Sequence, residues 1–382
     1  MSFVLVDERN PECGCYSGGE IYEEKIPNVV DSTWNGSVYW FGKETVYARM
    51  LCGGLELREV CPEYLKETFQ EQTKQFRAFL RACVYSKIHL DKHCVYDLVP
   101  VSFLKQYYET KCKIIDHVVR EYPKPNDYEF LVDLERVVQE IGRQKLSIEH
   151  KKRYIHYNIF GSKTGRLQTF SSSFPILSFA RAERSRLKPN NDFFLSFDWN
   201  GAEARTFLAL SGMQQPEGDI HESNRLLLNM PVETPRDIIK RAIFAHIYRT
   251  GNKDDTGWGI STTLEETYKK KQVLEEYWDG EYIHTPFGQT IYADEDHALN
   301  YLLQSTCARL LLKKMIEIHD MLKQRESTIA FSMHDSIVLD WAKEDLDLLK
   351  PILSVFSSTP WGRFVTNVSA GLDFGEMREF RQ

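Results

Sequence analysis

The sequence predicts an α+β protein, and three observations carry that expectation. Short apolar runs bounded by turn residues, FFLSFDW at 193–199 and the pair TIAFSM and SIVLDW on either side of 334–335, read as strands of a buried sheet. Segments with apolar residues at three- and four-residue intervals, such as KETFQEQTKQFRAFLRACVY and SFLKQYYETKCKIIDHVVREY, read as amphipathic helices. The chain has 382 residues, 42% hydrophobic and 27% charged, which is ample for a sizeable core spread over two or three subdomains.

Taken in order, residues 1–55 read as short strands and turns, because VLV, SVYWF and TVYARML are apolar or aromatic runs set between Gly, Pro, Asn and Asp. Residues 57–118 read as helices, and Pro123 and Pro125 then interrupt the pattern. YEFLVDLERVVQEIGR is another amphipathic helix with Gly142 as its expected stop. A loop rich in Gly, Ser and Thr follows at 161–173. After the strand at 193–199, GAEARTFLALSG starts a helix whose glycine lies just before Glu203. Thr234-Pro235, a cap followed by proline in the first turn, opens a helix over 235–249. A loop holding Gly251, Gly257 and Gly259 comes next, then a helix over 264–278 and a short hairpin, YIHTPFGQTIY, around Gly288. Residues 294–322 read as a long helix, apolar on one side. TIAFSM and SIVLDW then place His334-Asp335 at a strand-turn-strand tip.

The formal net charge of −7 argues against a uniformly basic nucleic-acid binder, but a sum that includes active-site and surface carboxylates does not describe a local groove. Lys151, Lys152 and Arg153 form one basic run; Arg181, Arg184, Arg186 and Lys188 a second; Arg236, Lys240 and Arg241 a third; Arg166 stands alone after a glycine. Any one run is ordinarily a solvated face, and it is their grouping around candidate catalytic carboxylates that gives them weight. Among the cysteines only Cys13 and Cys15 are closely spaced, and no second pair answers them. Reduced thiols in a cytosol-like compartment are therefore expected, and a structural zinc site is disfavoured. No run is long and apolar enough to span a bilayer, and the N-terminus lacks a basic-then-apolar signal pattern. The expected location is the cytoplasm, of a bacterium or a virus-infected host, with no membrane partner.

Two strand-borne carboxylates carry the chemistry. Asp198 ends an otherwise apolar strand and Asp335 sits at a hairpin tip. If the strands are neighbours, both emerge at one sheet edge, where they repel unless a cation lies between them. Two divalent ions about 4 Å apart would settle that, activating a hydroxyl and binding a leaving phosphate oxygen. Either aspartate alone is equally well a turn residue. In the helix at 235–249, Arg236, Lys240, Phe244 and Tyr248 recur every four residues and line one side, leaving Ile238, Ile239, Ala242, Ile243 and Ile247 for the core. Basic residues one turn apart can follow a triphosphate, and the aromatics beyond them can meet a base and sugar. Snorkelling side chains on an ordinary helix would give the same letters.

With these residues in view, the chain resembles the polymerase portion of family A DNA polymerases, the group of bacterial DNA polymerase I and many phage replicases. FDWNGAEAR resembles the first palm motif, PRDIIKRAIFAHIY the fingers helix and MHDSIVLD the last palm motif. SKTGRLQT, GDIHESN and the pair Asn300 and Gln304 resemble accessory segments, in the same order, and the match spans residues 130–345. The resemblance implies a right-hand polymerase fold with an antiparallel-sheet palm, helical fingers and a helical thumb. It implies a small strand-rich or α/β module at 1–56, a thumb at 57–157, palm at 158–214 and 285–382, and fingers at 215–284. It further implies that Asp198, Asp335 and the backbone carbonyl of Trp199 hold two Mg2+ ions, with Mn2+ able to substitute. Arg236, Lys240 and His221 would bind the incoming triphosphate, with Lys240 also a proton donor to pyrophosphate. Phe244 would pack on the nucleotide. Tyr248 would stack at the templating position and, with Glu203, crowd the sugar 2′ position. Arg166, Asn300, Gln304 and His334 would contact the duplex end. The implied partners are primed DNA template and dNTPs, with a separate exonuclease or a processivity partner as a further expectation.

The sequence also departs from the family. Ser336 stands where a glutamate usually follows His-Asp, Arg249 where a glycine follows the fingers tyrosine, and Asp296 where an arginine precedes the asparagine. GWGI at 257–260 stands where a later fingers element would resume, and 260–284 is short. Distant single-subunit RNA polymerases also carry His-Asp-Ser but lack a match to Glu203, so Glu203 favours DNA synthesis. Too few residues precede the expected thumb to hold a proofreading domain, and Asp7-Glu8 lacks the Asp-x-Glu spacing. The expectation is a compact, phage-type enzyme without proofreading. The competing readings are a nucleotidyltransferase for RNA or primer synthesis or end extension, and a non-catalytic DNA-binding subunit.

Overall fold

The computed structural model describes residues 1–8, 11–23, 26–38, 40, 44–90, 92–248 and 260–380. Arg249, Gly251, Gly257, Gly259 and most of the GWGI segment lie outside them. The chain divides into two compact units, Met1–Arg136 and Val137–Gln382.

In the first unit, Val4–Leu5, Cys15–Ser17 and Glu20–Tyr22 form a small antiparallel sheet, and Ser32–Thr33 pairs in parallel with Val46–Tyr47. Two expected strands differ. TVYARML keeps only Val46–Tyr47 as strand, because Ala48–Leu51 coils into a helical turn that buries Ala48 and Met50. In SVYWF the described residues Ser37, Val38 and Trp40 lie outside any strand. Helices α1 (Glu63–Tyr85) and α2 (Val101–Glu121) each follow a proline, and α2 stops before Pro123. The buried side of α2, with Phe103, Leu104, Tyr107, Ile114 and Val118, supplies a large share of the core, and Tyr107 stacks on Phe76 at 4.9 Å. The division between the units falls within helix α3 (Tyr128–Arg143), which runs through Gly142, so that this glycine is no stop. A side chain there would meet Nδ1 of His156 at 3.1 Å, so the glycine serves a close approach instead.

The second unit is organised by strand β1 (Phe193–Trp199) and the helices that follow it. These are α4 (Ala202–Leu210), α5 (Ile220–Leu227), α6 (Arg236–Tyr248), α7 (Ile260–Tyr268), α8 (Lys270–Tyr277) and α9 (Glu295–Leu322). The expected single helix over 264–278 is two helices, broken at Lys269, whose backbone takes the left-handed conformation at φ +46. The hairpin around Gly288 forms as expected, pairing Tyr282–His284 with Thr290–Tyr292. Strands β2 (Thr328–Met333) and β3 (Ser336–Trp341), helix α10 (Leu349–Ser357), and strands β4 (Thr366–Gly371) and β5 (Arg378–Phe380) complete the unit.

The main sheet has the order β2-β3-β1-β4-β5, and every pairing in it is antiparallel. Its central strands are apolar almost throughout because both faces are covered. Trp199 stacks on Phe356 of α10 at 4.7 Å, and Phe194, Phe331 and Phe374 meet edge to face. A second cluster joins α4, α6, α7 and α9 through Phe207, Ile239, Ile243, Ile247, Leu264, Tyr268, Leu302 and Leu303. Each such buried aliphatic or aromatic side chain contributes roughly 1.5–3 kcal/mol. Helix α9 is buried nearly all round from Leu302 to Met315, not along one side as expected. Its polar residues tolerate this because they bond to their own helix, Ser305 to Tyr301 O at 2.6 Å and Thr306 to Leu302 O at 2.7 Å.

Candidate active site

Strand register brings the two candidate carboxylates to one edge. Asp198 on β1 is directly opposite Ser336 on β3, so Asp335 lies one residue past it, in the two-residue turn that joins β2 to β3. On its other side Asp198 faces Asn367 of β4. His334 begins the turn with φ +55, a strained conformation for a residue with a side chain, and it is exposed. Among the described residues Asp198 is given no hydrogen-bond donor. Burial and the neighbouring Asp335 charge push its carboxyl up to about 7. The indole of Trp199 turns away, donating to Phe356 O at 3.0 Å, so what this residue offers at the edge is its backbone.

Glu203 sits in the first turn of α4, beyond Gly201, which takes φ +65. A side chain on Gly201 would lie 2.4 Å from Ile220 and 3.4 Å from His221, so only glycine lets α4 start this close to α5. Glu203 is 9% exposed and collects two partners. Arg166 Nη2 bonds to one carboxylate oxygen at 2.7 Å, and the Tyr248 hydroxyl donates to the other. Arg166 also lies 3.7 Å from Asp335, so one guanidinium links the two carboxylates. Burial and the Glu203 charge hold the Tyr248 phenol well above its usual range.

Helix α6 presents its four spaced residues as a gradient. Arg236 and Lys240 are exposed, while Phe244 and Tyr248 are half-buried and stack at 5.5 Å. Lys240 Nζ is 5.5 Å from the Phe244 ring, and Arg236 reaches Asp219 at 3.2 Å. Ile239, Ile243 and Ile247 form the buried seam beside this row. Ile238, expected in the core, is 43% exposed, because it falls just outside that four-residue seam.

His221 is 2% exposed, and its buried Nδ1 has no hydrogen-bond partner among the described residues. Burial, then the Arg236 charge, push it down to about 4, so the ring is neutral. Around it runs a network that sequence reasoning missed. Asn200 Nδ2 donates to Asp219 at 2.6 Å, and Asn200 Oδ1 accepts the Ile220 N–H at 2.8 Å. Arg205, fully buried, donates to the carbonyls of Asn200, Pro216 and Gly218. Burial would raise the Asp219 carboxyl, but its bonds to Asn200, Glu222, Arg236 and His221 outweigh that and hold it low. Asn200 and Arg205 lie inside the FDWNGAEAR segment that holds Asp198, five residues apart, and their polar letters in an otherwise largely apolar stretch were the available signal.

Asn300 and Gln304 lie one turn apart on α9 and bond to each other at 2.5 Å. Among the described residues no hydrogen bond joins them to the carboxylates. Farther along α9, Cys307 meets Thr206 of α4 at 3.1 Å. A cavity of about 250 Å³ opens beside the turn, lined by Arg166, Gln168, Leu177, Leu311, Ser332 and His334. Ser336 is occupied locally, donating to Met333 O at 2.8 Å. Among the described residues no three His, Cys, Asp or Glu side chains gather as a metal cluster, and no helix is long and apolar enough to cross a membrane.

No family model matches the chain, and no curated relative matches it. Among solved structures, it is similar to the POL domain of Pol1 from M. smegmatis in complex with DNA primer-template and dNTP. The TM-score is 0.50 at 15% identity, covering 81% of this chain and 66% of that one. The chain thus spans just under two thirds of that protein's length. The likeness is one of fold: a mixed helix-and-strand architecture resembling a DNA polymerase domain. That neighbour is bacterial, and the expected phage-type character rests on the sequence alone.

Proposed function

We propose that the chain is a template-directed DNA polymerase that adds dNMPs to a primer 3′-hydroxyl by two-metal-ion phosphoryl transfer. The observation that carries the reading is the register that sets Asp198 opposite Ser336 and next to Asp335, with the Arg236–Lys240–Phe244–Tyr248 row tied to the same edge through Glu203. In this reading 158–214 and 285–382 are palm, 215–284 fingers, 57–157 thumb, and 1–56 a small accessory module. We assign editing to no part of this chain.

The donor set suits divalent cations. A carboxylate without a donor among the described residues, raised by burial and by a second carboxylate beside it, is relieved by a cation. Asp198, Asp335 and the carbonyl of Trp199 would hold two Mg2+ ions, or Mn2+ in their place, which supply Lewis-acid activation and charge neutralisation when bound. The chain's own residues do the rest. Arg236, Lys240 and His221 bind the triphosphate, and Lys240 holds a proton for the pyrophosphate oxygen. Phe244 packs on the nucleotide and Tyr248 stacks at the templating position. Glu203, fixed between Arg166 and Tyr248, crowds the 2′ position. Arg166, Asn300, Gln304 and His334 meet the duplex end. The protein's contribution is position and charge.

Primer extension on primed single-stranded DNA with Mg2+ and dNTPs, with an rNTP control, tests the reading. Templated growth with dNTPs alone is the expected result. Growth with rNTPs instead would move the assignment to RNA or primer synthesis, and no growth by protein that binds primed DNA would favour a non-catalytic subunit.

A further inference from the structure

We propose that Asp219 is a gating residue, whose carboxylate holds Arg236 in the resting protein and yields it to the phosphates of an incoming nucleotide. The inference rests on the polymerase reading and adds to it a control on nucleotide entry.

An exposed ion pair is ordinarily weak, since two flexible side chains must be ordered to make it. Here one partner is fixed in advance. Asp219 accepts from Asn200 Nδ2 at 2.6 Å, from the His221 N–H at 2.7 Å and from the Glu222 N–H at 3.1 Å. Arg236 Nη2, 3.2 Å away and on an exposed side chain, is therefore the movable member. Asn200 in turn stands two residues after Asp198 and is fastened by Arg205. The chain of contacts from Asn200 to Asp219 to Arg236 thus connects the carboxylate-bearing strand to the first turn of α6.

The two cations of the α6 row are held differently. Lys240 has no ion-pair partner among the described residues and lies beside the Phe244 ring, whereas Arg236 is engaged. A guanidinium binds carboxylate and phosphate through the same planar donors, so a polyphosphate captured at Lys240 can replace Asp219 on Arg236. The second sign of a resting arrangement is His221, two residues from Asp219, whose buried Nδ1 has no partner among the described residues. A buried polar atom left unmatched gains a bond when its surroundings change.

Asp219→Ser tests the gate in the full chain, because serine caps α5 as aspartate does but carries no charge. Inorganic tripolyphosphate is titrated calorimetrically without DNA, and KM and kcat for dNTPs are measured alongside. The expected result is tripolyphosphate binding roughly two- to five-fold tighter than in the wild type, the range open to an exposed ion pair. KM should fall by a similar factor without a rise in kcat, and the change should vanish in an Arg236→Ala background. Unchanged or weaker binding, a shift that persists in Arg236→Ala, or no tripolyphosphate binding to either protein overturns the gate. If Asp219→Ser does not fold, Asp219→Asn, which keeps an Oδ1 acceptor, takes the same measurements. Tighter tripolyphosphate binding in a protein that extends no primer keeps the gate and sinks the polymerase reading. Primer extension with unchanged nucleotide KM does the reverse.

Discussion

The two ends of one sheet treat their aspartates in opposite ways. At the end of β3 remote from the turn, Asp340 accepts the N–H groups of Asn190 at 2.7 Å and Asn191 at 2.8 Å. Nearby, Asp192 accepts the Lys343 N–H and Asp345 the Ser327 N–H. These carboxylates finish loops. At the other end Asp198 is given no donor among the described residues, and Asp335 has only a guanidinium at 3.7 Å. Burial raises Asp198 and Asp340 alike, but backbone donors pull Asp340 back while a second carboxylate drives Asp198 further up. Carboxylates that the protein satisfies hold structure together, and carboxylates it leaves in need of a partner are fitted to bind something else.

That contrast can be broken or sharpened by measurement. Asp198→Asn and Asp335→Asn should each reduce primer extension on the order of 10³-fold or more, while the folded protein survives. Melting well below wild type would place both aspartates with the structural end. Lys240→Ala should lower kcat/KM for dNTPs about 100-fold, with affinity for primed DNA in a gel-shift titration unchanged. The reverse pattern would place α6 elsewhere. Asp340→Ala should cost about 2 kcal/mol in urea unfolding by stranding two backbone N–H groups, with extension per folded molecule retained. The smallest effect is the pH dependence of Asp198. Its carboxyl ionises near 3.8 when unfolded and near 7 when folded, so between those values the folded state holds the extra proton. Stability should therefore fall as pH rises through that window, by about 1–2 kcal/mol after discounting for partial exposure. Unfolding in chelator, compared with Asp198→Asn, isolates this slope, and parallel curves for the two proteins would remove Asp198 as its source.

Much of the site was legible because its signals are local. An apolar strand that ends in aspartate, and a helix with cations and aromatics every four residues, are visible in the letters. The register that sets Asp198 opposite Ser336 was not, since strand pairing depends on residues far apart in the chain. Nor was the link between Asn200 and Asp219, nineteen residues apart. The burial of α9 on all sides was hidden because Ser305 and Thr306 look polar yet satisfy themselves on their own helix. The break at Lys269 was missed because lysine carries no turn signal, although it adopts a positive φ. Ile238 was misassigned because an isoleucine next to a buried seam reads like part of it.

Arg205 carries a consequence for genetics. Its guanidinium is spread over three backbone carbonyls and two side-chain oxygens in a fully buried pocket. Lysine would keep the charge but has a single nitrogen, which cannot reach carbonyls on opposite sides of that pocket. Arg205→Lys should thus behave as a conditional allele, giving folded protein when it is produced in the cold and losing it when the culture is warmed.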